Sequence, residues 1–319
     1  MIISRSGCAR GPFVFFACFS AGPPRAERGK QKVVYHVIFN PAARNGKSGE
    51  ICRRVCERLR AAGREYVLHE TERKGHAEEM AAHLPEDAEE LIVIGGDGTF
   101  HEVLNGLQDP GRLRVALIPA GTGNDFCVGA RIPFDPDETL SLLLAGKSRE
   151  TDFISFGERR CMNVGGLGMD VDVLERCARG RLRGKIKYLW SLVVSVCTFR
   201  GYDVRVRVDG EELVRKALFV AVCNGDRIGG GIRICPDADV EDGKLEVVIV
   251  PQMGFFGMVR AFIALMRGKI LQFGATEHYY CDEVEAVPDR PRTVQMDGEL
   301  YGGYVALRGK IERGLRIYR

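Results

Sequence analysis

A glycine turn that carries one carboxylate and one hydroxyl stands where a chain could bind phosphates. Its members are Gly95, Gly96, Asp97, Gly98 and Thr99. The turn follows an apolar run typical of a buried strand and precedes a segment with helical apolar spacing. Backbone N–H groups are free at the start of a helix, and glycine leaves them uncovered, so the turn can hold an anion. Because Asp97 would repel phosphates unless a divalent cation lay between them, the turn predicts a phosphate site with Mg²⁺.

A second glycine turn follows the next predicted strand. Its members are Gly121, Thr122, Gly123, Asn124 and Asp125. The glycines on both sides of Thr122 allow the backbone to approach a ligand closely, while Asn124 and Asp125 can cap the following segment or reach a metal through water. Neighbouring parallel strands end at one edge of a sheet, where ligands of open α/β sheets bind. The two turns together therefore predict a nucleotide site.

Two other phosphate-binding motifs fit the sequence less well. Gly46-Lys47-Ser48 is like the tail of a Walker A loop, but Pro41 stands where the leading glycine belongs and has no N–H to donate. Neither glycine turn has the spacing of a dinucleotide-binding fingerprint, and no acidic residue ends the next strand. Residues 40–46 still predict an open loop at the carboxyl edge of the first strand.

Six motifs in a fixed order resemble one protein family. They are Asn40-Pro41, the two glycine turns, three glycines at 229–231, an acidic stretch at 236–245, and Asp297-Gly298-Glu299. The series resembles the soluble bacterial diacylglycerol kinase family, which shares its catalytic domain with diacylglycerol, sphingosine and ceramide kinases, and the match covers about residues 32–319. The first glycine turn alone also occurs in NAD kinases and phosphofructokinase-like folds, whereas the ordered series is specific.

The resemblance implies a kinase that transfers the γ-phosphate of ATP to diacylglycerol, giving phosphatidate. A kinase of another lipid alcohol such as a sphingoid base, an NAD kinase, and a sensing module without turnover are the alternatives. Phosphoryl transfer requires the protein to hold the phosphates, neutralise their charge and deliver a hydroxyl in line. In this role the first turn would hold ATP through its N–H groups, and Thr99 and Thr122 would add hydroxyl donors. Asp97 would reach Mg²⁺ directly or through water, with Asp125 in its outer shell.

Further site residues are implied by the same resemblance. Asn40 and Thr71, at the ends of the first two predicted strands, would line the ATP pocket; otherwise they are exposed loop residues. Glu299 would be the general base that takes the proton of the lipid hydroxyl. By sequence alone, a glutamate after an Asp-Gly hairpin turn is usually solvated. In sphingosine kinases, the aspartate that corresponds to Asp97 is proposed as the base. The choice between Glu299 and Asp97 therefore stays open.

The acidic stretch at 236–245 resembles a second, structural Mg²⁺ site. Carried over, Asp242 would supply a carboxylate, and Asp239 and Lys244 would supply main-chain oxygens. Glu241 and Glu246 stand where the family commonly has aspartate, which would alter the outer shell. An ordinary charged hairpin is the alternative.

The elements that must position these residues fall into two groups. Strands alternate with helices from 33 to 119, which predicts a parallel sheet with helices on both faces. After 152, short β-type runs interrupted by helices at 183–199 and 255–270 predict antiparallel structure. We therefore predict a disordered leader (1–31), an α/β nucleotide-binding domain (32–152) and an antiparallel second domain (153–302). The family resemblance implies that the first domain is NAD kinase/phosphofructokinase-like and that the second is a β-sandwich. Residues 303–319 are candidates to return to the first domain.

Composition and charge limit the partners and the compartment. The chain has 319 residues and a net charge of +3, which does not call for a nucleic-acid partner. Its 11 cysteines show no pairing or zinc pattern, which favours a reducing cytoplasm. No segment has the roughly 18 to 20 apolar residues of a membrane span.

Contact with a lipid substrate nevertheless requires transient binding to a membrane surface. The basic and aromatic segment 185–194 has the composition of an interfacial helix, although a core helix with solvated ends is the alternative. The glycine-rich stretch 165–170 is a candidate to admit acyl chains. A homodimer is left open.

Overall fold

The computed structural model describes residues 33–46, 48–179 and 184–319, and the leader predicted at 1–31 lies outside them. The strands are β1 (Val34–Phe39), β2 (Glu65–Glu70), β3 (Glu90–Gly95), β4 (Arg114–Pro119), β5 (Ser148–Phe156), β6 (Arg159–Cys161), β7 (Val164–Gly168), β8 (Tyr202–Val208), β9 (Glu211–Cys223), β10 (Arg227–Ile228), β11 (Ile232–Arg233), β12 (Leu245–Pro251), β13 (Glu277–Cys281), β14 (Glu283–Pro288), β15 (Arg292–Met296), β16 (Glu299–Tyr304) and β17 (Leu307–Tyr318). The helices are α1 (Ser48–Ala61), α2 (His76–Ala82), α3 (Asp97–Gly106), α4 (Asp125–Gly129), α5 (Pro136–Leu144), α6 (Met169–Arg179), α7 (Gly184–Thr198) and α8 (Phe255–Met266).

The first half is a parallel sheet between two helical layers. Its strands lie in the order β4-β3-β1-β2 and all run parallel. Every residue of β3 is buried, as its apolar composition requires of a strand covered on both faces. One core cluster packs α1 and α5 on one face of the sheet, and a second packs α2 and α3 on the other. The glycine turns follow β3 and β4 at the carboxyl edge.

The second half is antiparallel, with β9 pairing with β7, β8 and β12. Side chains of β12 alternate between two cores: Val247 and Ile249 enter the sandwich interior, whereas Val248 and Val250 pack under α6, α7 and α8. The predicted fold class, an α/β domain followed by a β-sandwich, is confirmed. Among the described residues, no helix is long and apolar enough to cross a bilayer.

The last strand joins the two halves. β17 pairs antiparallel with β5 and β14, and its end pairs parallel with β4, where Arg316 faces Arg114. Fifteen strands thereby form one sheet, and Val33–Arg319 make one compact unit. The chain therefore returns to the parallel strands at its end, where β17 pairs with the first residues of β4. The exact bounds given above for the domains stay predictions.

Some elements differ from their predicted form. The β-type run at 277–287 forms two strands, because the chain exchanges β12 for β8 and β17 as partners at Asp282. The β-type run at 161–164 is likewise split between β6 and β7. The helix predicted at 255–270 ends at Met266, just before Gly268, whose φ of +65° is left-handed. Helix α6 was not predicted at all.

Candidate active site

The two glycine turns lie in contact. A Cβ atom placed on Gly96 would lie 2.8 Å from the Cα of Gly121, and one placed on Gly121 would lie 2.5 Å from the Cα of Gly96. Since β3 and β4 are neighbours in register, the turns that follow them leave the sheet side by side. Only glycine permits so close an approach of two backbones. The predicted meeting of the turns is therefore present in the fold.

The turns form one wall of a cleft of about 570 Å³, which we call the outer cleft. Predicted ATP-site residues on its lining are Asn40, Thr71, Gly96, Asp97, Gly98, Thr99, Gly121 and Thr122. The Asn40 side-chain amide donates to Thr99 Oγ1 over 3.0 Å, which ties the end of β1 to the first turn. Buried Thr71 follows β2 and donates its N–H to the carbonyl of Phe39. Four successive strand ends thus contribute to one concave surface.

Two predicted ATP-site residues act behind the cleft rather than on its lining. Gly95 is the last residue of β3, and a Cβ there would lie 2.5 Å from the Cβ of Thr99. Asn124 Oδ1 accepts from the Gly121 N–H at 2.9 Å, and its amide donates to the Gly121 carbonyl at 3.1 Å. Both residues therefore shape the turns, and their contact with a nucleotide stays a prediction.

Two carboxylates converge beside Gly123. A Cβ placed on Gly123 would lie 3.0 Å from Asp97 Oδ2 and 3.8 Å from Asp125 Oδ2. Burial, and then the charge of Asp125, raise the pKa of Asp97 to about 6. Such a pair of oxygen donors fits Mg²⁺, because a divalent cation relieves the repulsion between them. Among the described residues no three His, Cys, Asp or Glu side chains cluster to hold a metal, so a cation here needs phosphate or water ligands as well.

Glu299 reaches the first turn from the other half of the protein. It begins β16, and a Cβ placed on Gly98 would lie 3.6 Å from Glu299 Oε1. Its Oε2 forms an ion pair with Lys74 from the loop after β2, so the pair closes across the outer cleft. The sequence does not indicate a site role for Lys74, because it is one lysine in a charged loop.

A buried carboxylate anchors the turn that presents Glu299. Asp297 accepts hydrogen bonds from the backbone N–H groups of Met162 and Asn163, both at 2.8 Å, and from His101 Nδ1 at 2.9 Å. Burial alone would raise the pKa of Asp297, but these donors, His101 foremost, outweigh it and lower that pKa. Asp297 therefore positions Glu299. The sequence signalled only a hairpin turn here.

The acidic loop before β12 lies outside the lining of the outer cleft. Asp239 Oδ1 accepts from the Glu241 N–H at 3.1 Å, and Asp242 Oδ1 accepts from the Lys244 N–H at 2.9 Å. Each aspartate thus bonds to the backbone two residues on, as in an Asx turn. The structural Mg²⁺ site at Asp239, Asp242 and Lys244 stays a prediction.

A second space, the inner cavity, lies on the other side of Asp97 and has a volume of about 200 Å³. Its lining includes Asp97, Phe100, Asp125, Met162, Asp170, Leu174, Ile228, Gln295 and Asp297. Burial raises the pKa of Asp170, at the start of α6, to about 6, and its Oδ1 has no hydrogen-bond partner among the described residues. An unpartnered buried oxygen calls for a donor from a ligand. Of the stretch 165–170, Asp170 lines this cavity, and the admission of acyl chains by the stretch stays a prediction.

Fold and site define an α/β protein whose glycine-lined anion cleft is completed by an acid from a β-sandwich. Comparison with known proteins agrees: the diacylglycerol kinase catalytic domain matches residues 34–156, and the YegS C-terminal NAD kinase beta sandwich-like domain matches residues 163–314. A Xanthomonas oryzae pv. oryzae protein described as "probable lipid kinase YegS-like" is 30% identical over 80% of this chain and 87% of its own length. The chain therefore belongs to the diacylglycerol kinase and YegS-like lipid kinase family.

The chain is also similar to a second curated protein in sequence and to a solved structure in fold. A diacylglycerol kinase of Staphylococcus carnosus is 26% identical over 84% of this chain and 88% of its own length. The crystal structure of a diacylglycerol kinase from Bacillus anthracis superimposes with a TM-score of 0.73, at 22% identity, covering 91% of this chain and 97% of that one. At this identity the second likeness concerns the fold alone. The family resemblance drawn from the six motifs is confirmed.

Proposed function

We propose that the protein is an ATP-dependent lipid kinase that phosphorylates diacylglycerol to give phosphatidate, working at the cytoplasmic face of a membrane. The observation that carries the proposal is the position of Glu299. This carboxylate faces the first glycine turn from the opposite half, where the outer cleft and the inner cavity approach each other at Asp97. Asp97 lines both a cleft suited to anions and a largely apolar cavity. This arrangement suits the transfer of a phosphoryl group from a nucleotide to a lipid.

The outer cleft supports the ATP side of the reaction. Free N–H groups at the start of α3, with the hydroxyls of Thr99 and Thr122, can hold phosphate oxygens. Asp97 and Asp125 would hold Mg²⁺, which neutralises phosphate charge when bound. Asn40 fixes the orientation of Thr99 through its hydrogen bond.

Glu299 supports the acceptor side. As general base it takes the proton of the lipid hydroxyl while the hydroxyl oxygen forms a bond to the γ-phosphorus. The bond between that phosphorus and the β,γ-bridging oxygen breaks, and ADP leaves with the electron pair. Asp297 holds the turn and Lys74 orients the carboxylate, so each acts through Glu299.

The acceptor is tested by incubating the full chain with radiolabelled ATP and Mg²⁺ against a panel of acceptors. The panel contains dioleoylglycerol and a sphingoid base in mixed micelles, and NAD in solution. We expect label in phosphatidate and none in NADP, because the inner cavity is mainly apolar. Label in NADP alone, or in no acceptor, would contradict the proposal.

A second candidate acceptor is a lipid alcohol that carries an amine, such as a sphingoid base. The observation that favours it is Asp170, whose Oδ1 has no hydrogen-bond partner among the described residues and whose pKa of about 6 leaves the carboxyl mainly ionised at neutral pH. Gly166 leaves room for this side chain, since a Cβ there would lie 2.7 Å from Asp170 Oδ2. An ionised carboxylate in a partly apolar cavity binds an ammonium group more strongly than it binds a neutral hydroxyl.

Replacing Asp170 by asparagine separates the two acceptors. If the amine binds this carboxylate, kcat/KM for the sphingoid base should fall about 10- to 100-fold, the range of a charged hydrogen bond. With dioleoylglycerol the loss should stay within a few fold, because an asparagine oxygen still accepts from a hydroxyl. Both values come from initial rates at fixed ATP. Equal losses for the two lipids would remove Asp170 as the discriminating group.

A further inference from the structure

The outward face of α8 exposes large apolar side chains. Phe255 is 54% exposed, Phe256 82% and Ile263 42%. The opposite face of the helix is buried through Met258, Ala261 and Leu265. The helix therefore already packs on the protein core, and the exposed apolar residues are additional to that packing. Contiguous exposed apolar residues on a folded protein mark an interaction surface.

The same face carries unpaired positive charge. Arg260, Arg267 and Lys269 are exposed and, within the part of the chain that the structure describes, none has a carboxylate at ion-pair distance. Segment 252–276 contains no aspartate or glutamate. Surface arginines elsewhere are commonly paired, as Arg176 is with Asp172. A cationic and apolar face without acids is complementary to an anionic apolar partner.

Helix α7 extends this surface. Leu192 and Val196 of α7 pack into the same core cluster as the buried residues of α8. The two helices therefore cover one side of the sandwich, and their outward faces lie on that same side. On α7, Ile186 is 71% exposed and Trp190 61%. Lys185 and Lys187, the basic residues predicted to contribute here, belong to α7, but the structure does not describe their side chains. We call the exposed residues of the two helices the α7–α8 face.

We propose that the α7–α8 face docks on an anionic phospholipid bilayer. The aromatic side chains enter the boundary between headgroups and acyl chains, and the three cations of α8 and its C-terminal loop contact lipid phosphates. A second copy of the chain is a poorer occupant, because it would bring the same positive charge against itself. The proposal concerns bilayer binding only and does not depend on which lipid is phosphorylated.

The position of the face relative to the site supports a bilayer as the partner. Leu192 of α7 and Leu265 of α8 line an apolar space that also borders Asp170 and Gln295, two residues of the inner cavity. The inward faces of the same two helices therefore wall the apolar extension of the inner cavity. A bilayer on their outward faces lies one helix layer from that space.

Binding to vesicles tests the docking face. The probe is vesicles of phosphatidylcholine and phosphatidylglycerol at about 2:1, compared with vesicles of phosphatidylcholine alone, because anionic lipids attract basic surface residues. Trp190 is the single tryptophan of the chain, so a blue shift of its emission and its quenching by brominated lipid report insertion directly. We expect binding to the anionic vesicles that weakens as salt rises, since surface charge is screened.

Two variants and two matched controls complete the test. Phe255→Ala with Phe256→Ala, and Arg260→Glu with Arg267→Glu and Lys269→Glu, should each weaken vesicle binding at least about 10-fold, each cation alone giving about 5-fold. Phe134→Ala and Lys310→Glu, at exposed positions elsewhere, should leave it unchanged. Thermal unfolding should be native-like in all four, since every changed side chain is exposed.

Three results would overturn the proposal. The first is that both α8 variants bind anionic vesicles as strongly as the native chain does. The second is that the native chain does not bind anionic vesicles. The third is that sedimentation velocity shows a dimer that only the phenylalanine variant disrupts. Phosphorylation of a short-chain diacylglycerol in detergent micelles should survive in the α8 variants. If the native chain did not phosphorylate this lipid but still bound vesicles, the proposed function would fail while the docking proposal stood. The failure of one proposal can therefore be distinguished from the failure of the other.

Discussion

Replacing Glu299 by glutamine should lower kcat about 10²- to 10⁴-fold, the usual contribution of a general base. Glutamine keeps the size of the side chain but cannot accept the hydroxyl proton. Because the proposed role of Glu299 is to take the acceptor proton rather than to hold the phosphates, ATP affinity should stay near the native value. The measurements are kcat with saturating lipid acceptor and the Kd for ATP from titration calorimetry.

The matched control for this variant is Lys74→Met. Glutamine at position 299 also loses the ion pair with Lys74, so a fall in kcat could reflect misplacement of the side chain rather than loss of a base. The Lys74 side chain is 77% exposed, and exposed ion pairs contribute little. We therefore expect Lys74→Met to lower kcat less than about 10-fold. Equal losses in the two variants would make Glu299 a positioning residue, and undiminished turnover in Glu299→Gln would leave Asp97 as the base.

The two glycine turns could be predicted from sequence because their signals are local. Each turn stands between an apolar run and a helical pattern, and the alternation of strands with helices makes the strands parallel neighbours. Parallel neighbours end at the same edge, so the meeting of Gly96 with Gly121 follows from the pattern. The family resemblance, rather than this pattern, predicted Asn40 and Thr71 in the ATP pocket, and both lie on the lining of the outer cleft.

Contacts between the two halves could not be predicted in this way. Asp297 and His101 are 196 positions apart, and Glu299 and Lys74 are 225 apart. No periodicity relates residues at such separations, so Asp297 shows in the sequence only as the start of a hairpin turn. Its anchoring role comes from burial beside His101, and burial between two halves is a property of the assembled fold.

Strand β7 illustrates the same limit for secondary structure. Its sequence, Val-Gly-Gly-Leu-Gly, has the low strand propensity of glycine, yet it forms a fully buried strand. Pairing with β9 on one side and β15 on the other overrides that propensity. The glycines are required because β7 lies against bulky neighbours: a Cβ on Gly165 would lie 2.5 Å from the ring of Phe156. Tertiary packing therefore determines the strand conformation of β7, which the local sequence pattern does not predict.

Replacing Gly121 by alanine should weaken ATP binding about 10- to 100-fold, in line with the 1 to 3 kcal/mol that overpacking costs. The new Cβ would lie 2.5 Å from the Cα of Gly96 and 2.7 Å from Asn124 Oδ1. The first of these atoms is backbone and cannot move aside, so the two turns must separate. Because the cleft wall consists of both turns, their separation displaces N–H groups and hydroxyls that would hold the phosphates. The Kd for ATP measured by titration calorimetry checks this expectation.

Gly49→Ala is the matched control, because it makes the same chemical change near the start of α1, where nothing lies within 4 Å of the new Cβ. Alanine there should leave the ATP Kd unchanged and raise the unfolding temperature slightly, since alanine has the higher helix propensity. Gly121→Ala should still unfold cooperatively, because the strain is confined to the turns at one edge of the sheet. Native ATP affinity in a folded Gly121→Ala protein would show that contact between the turns is not what binds the triphosphate, and the outer cleft would then lose its assignment.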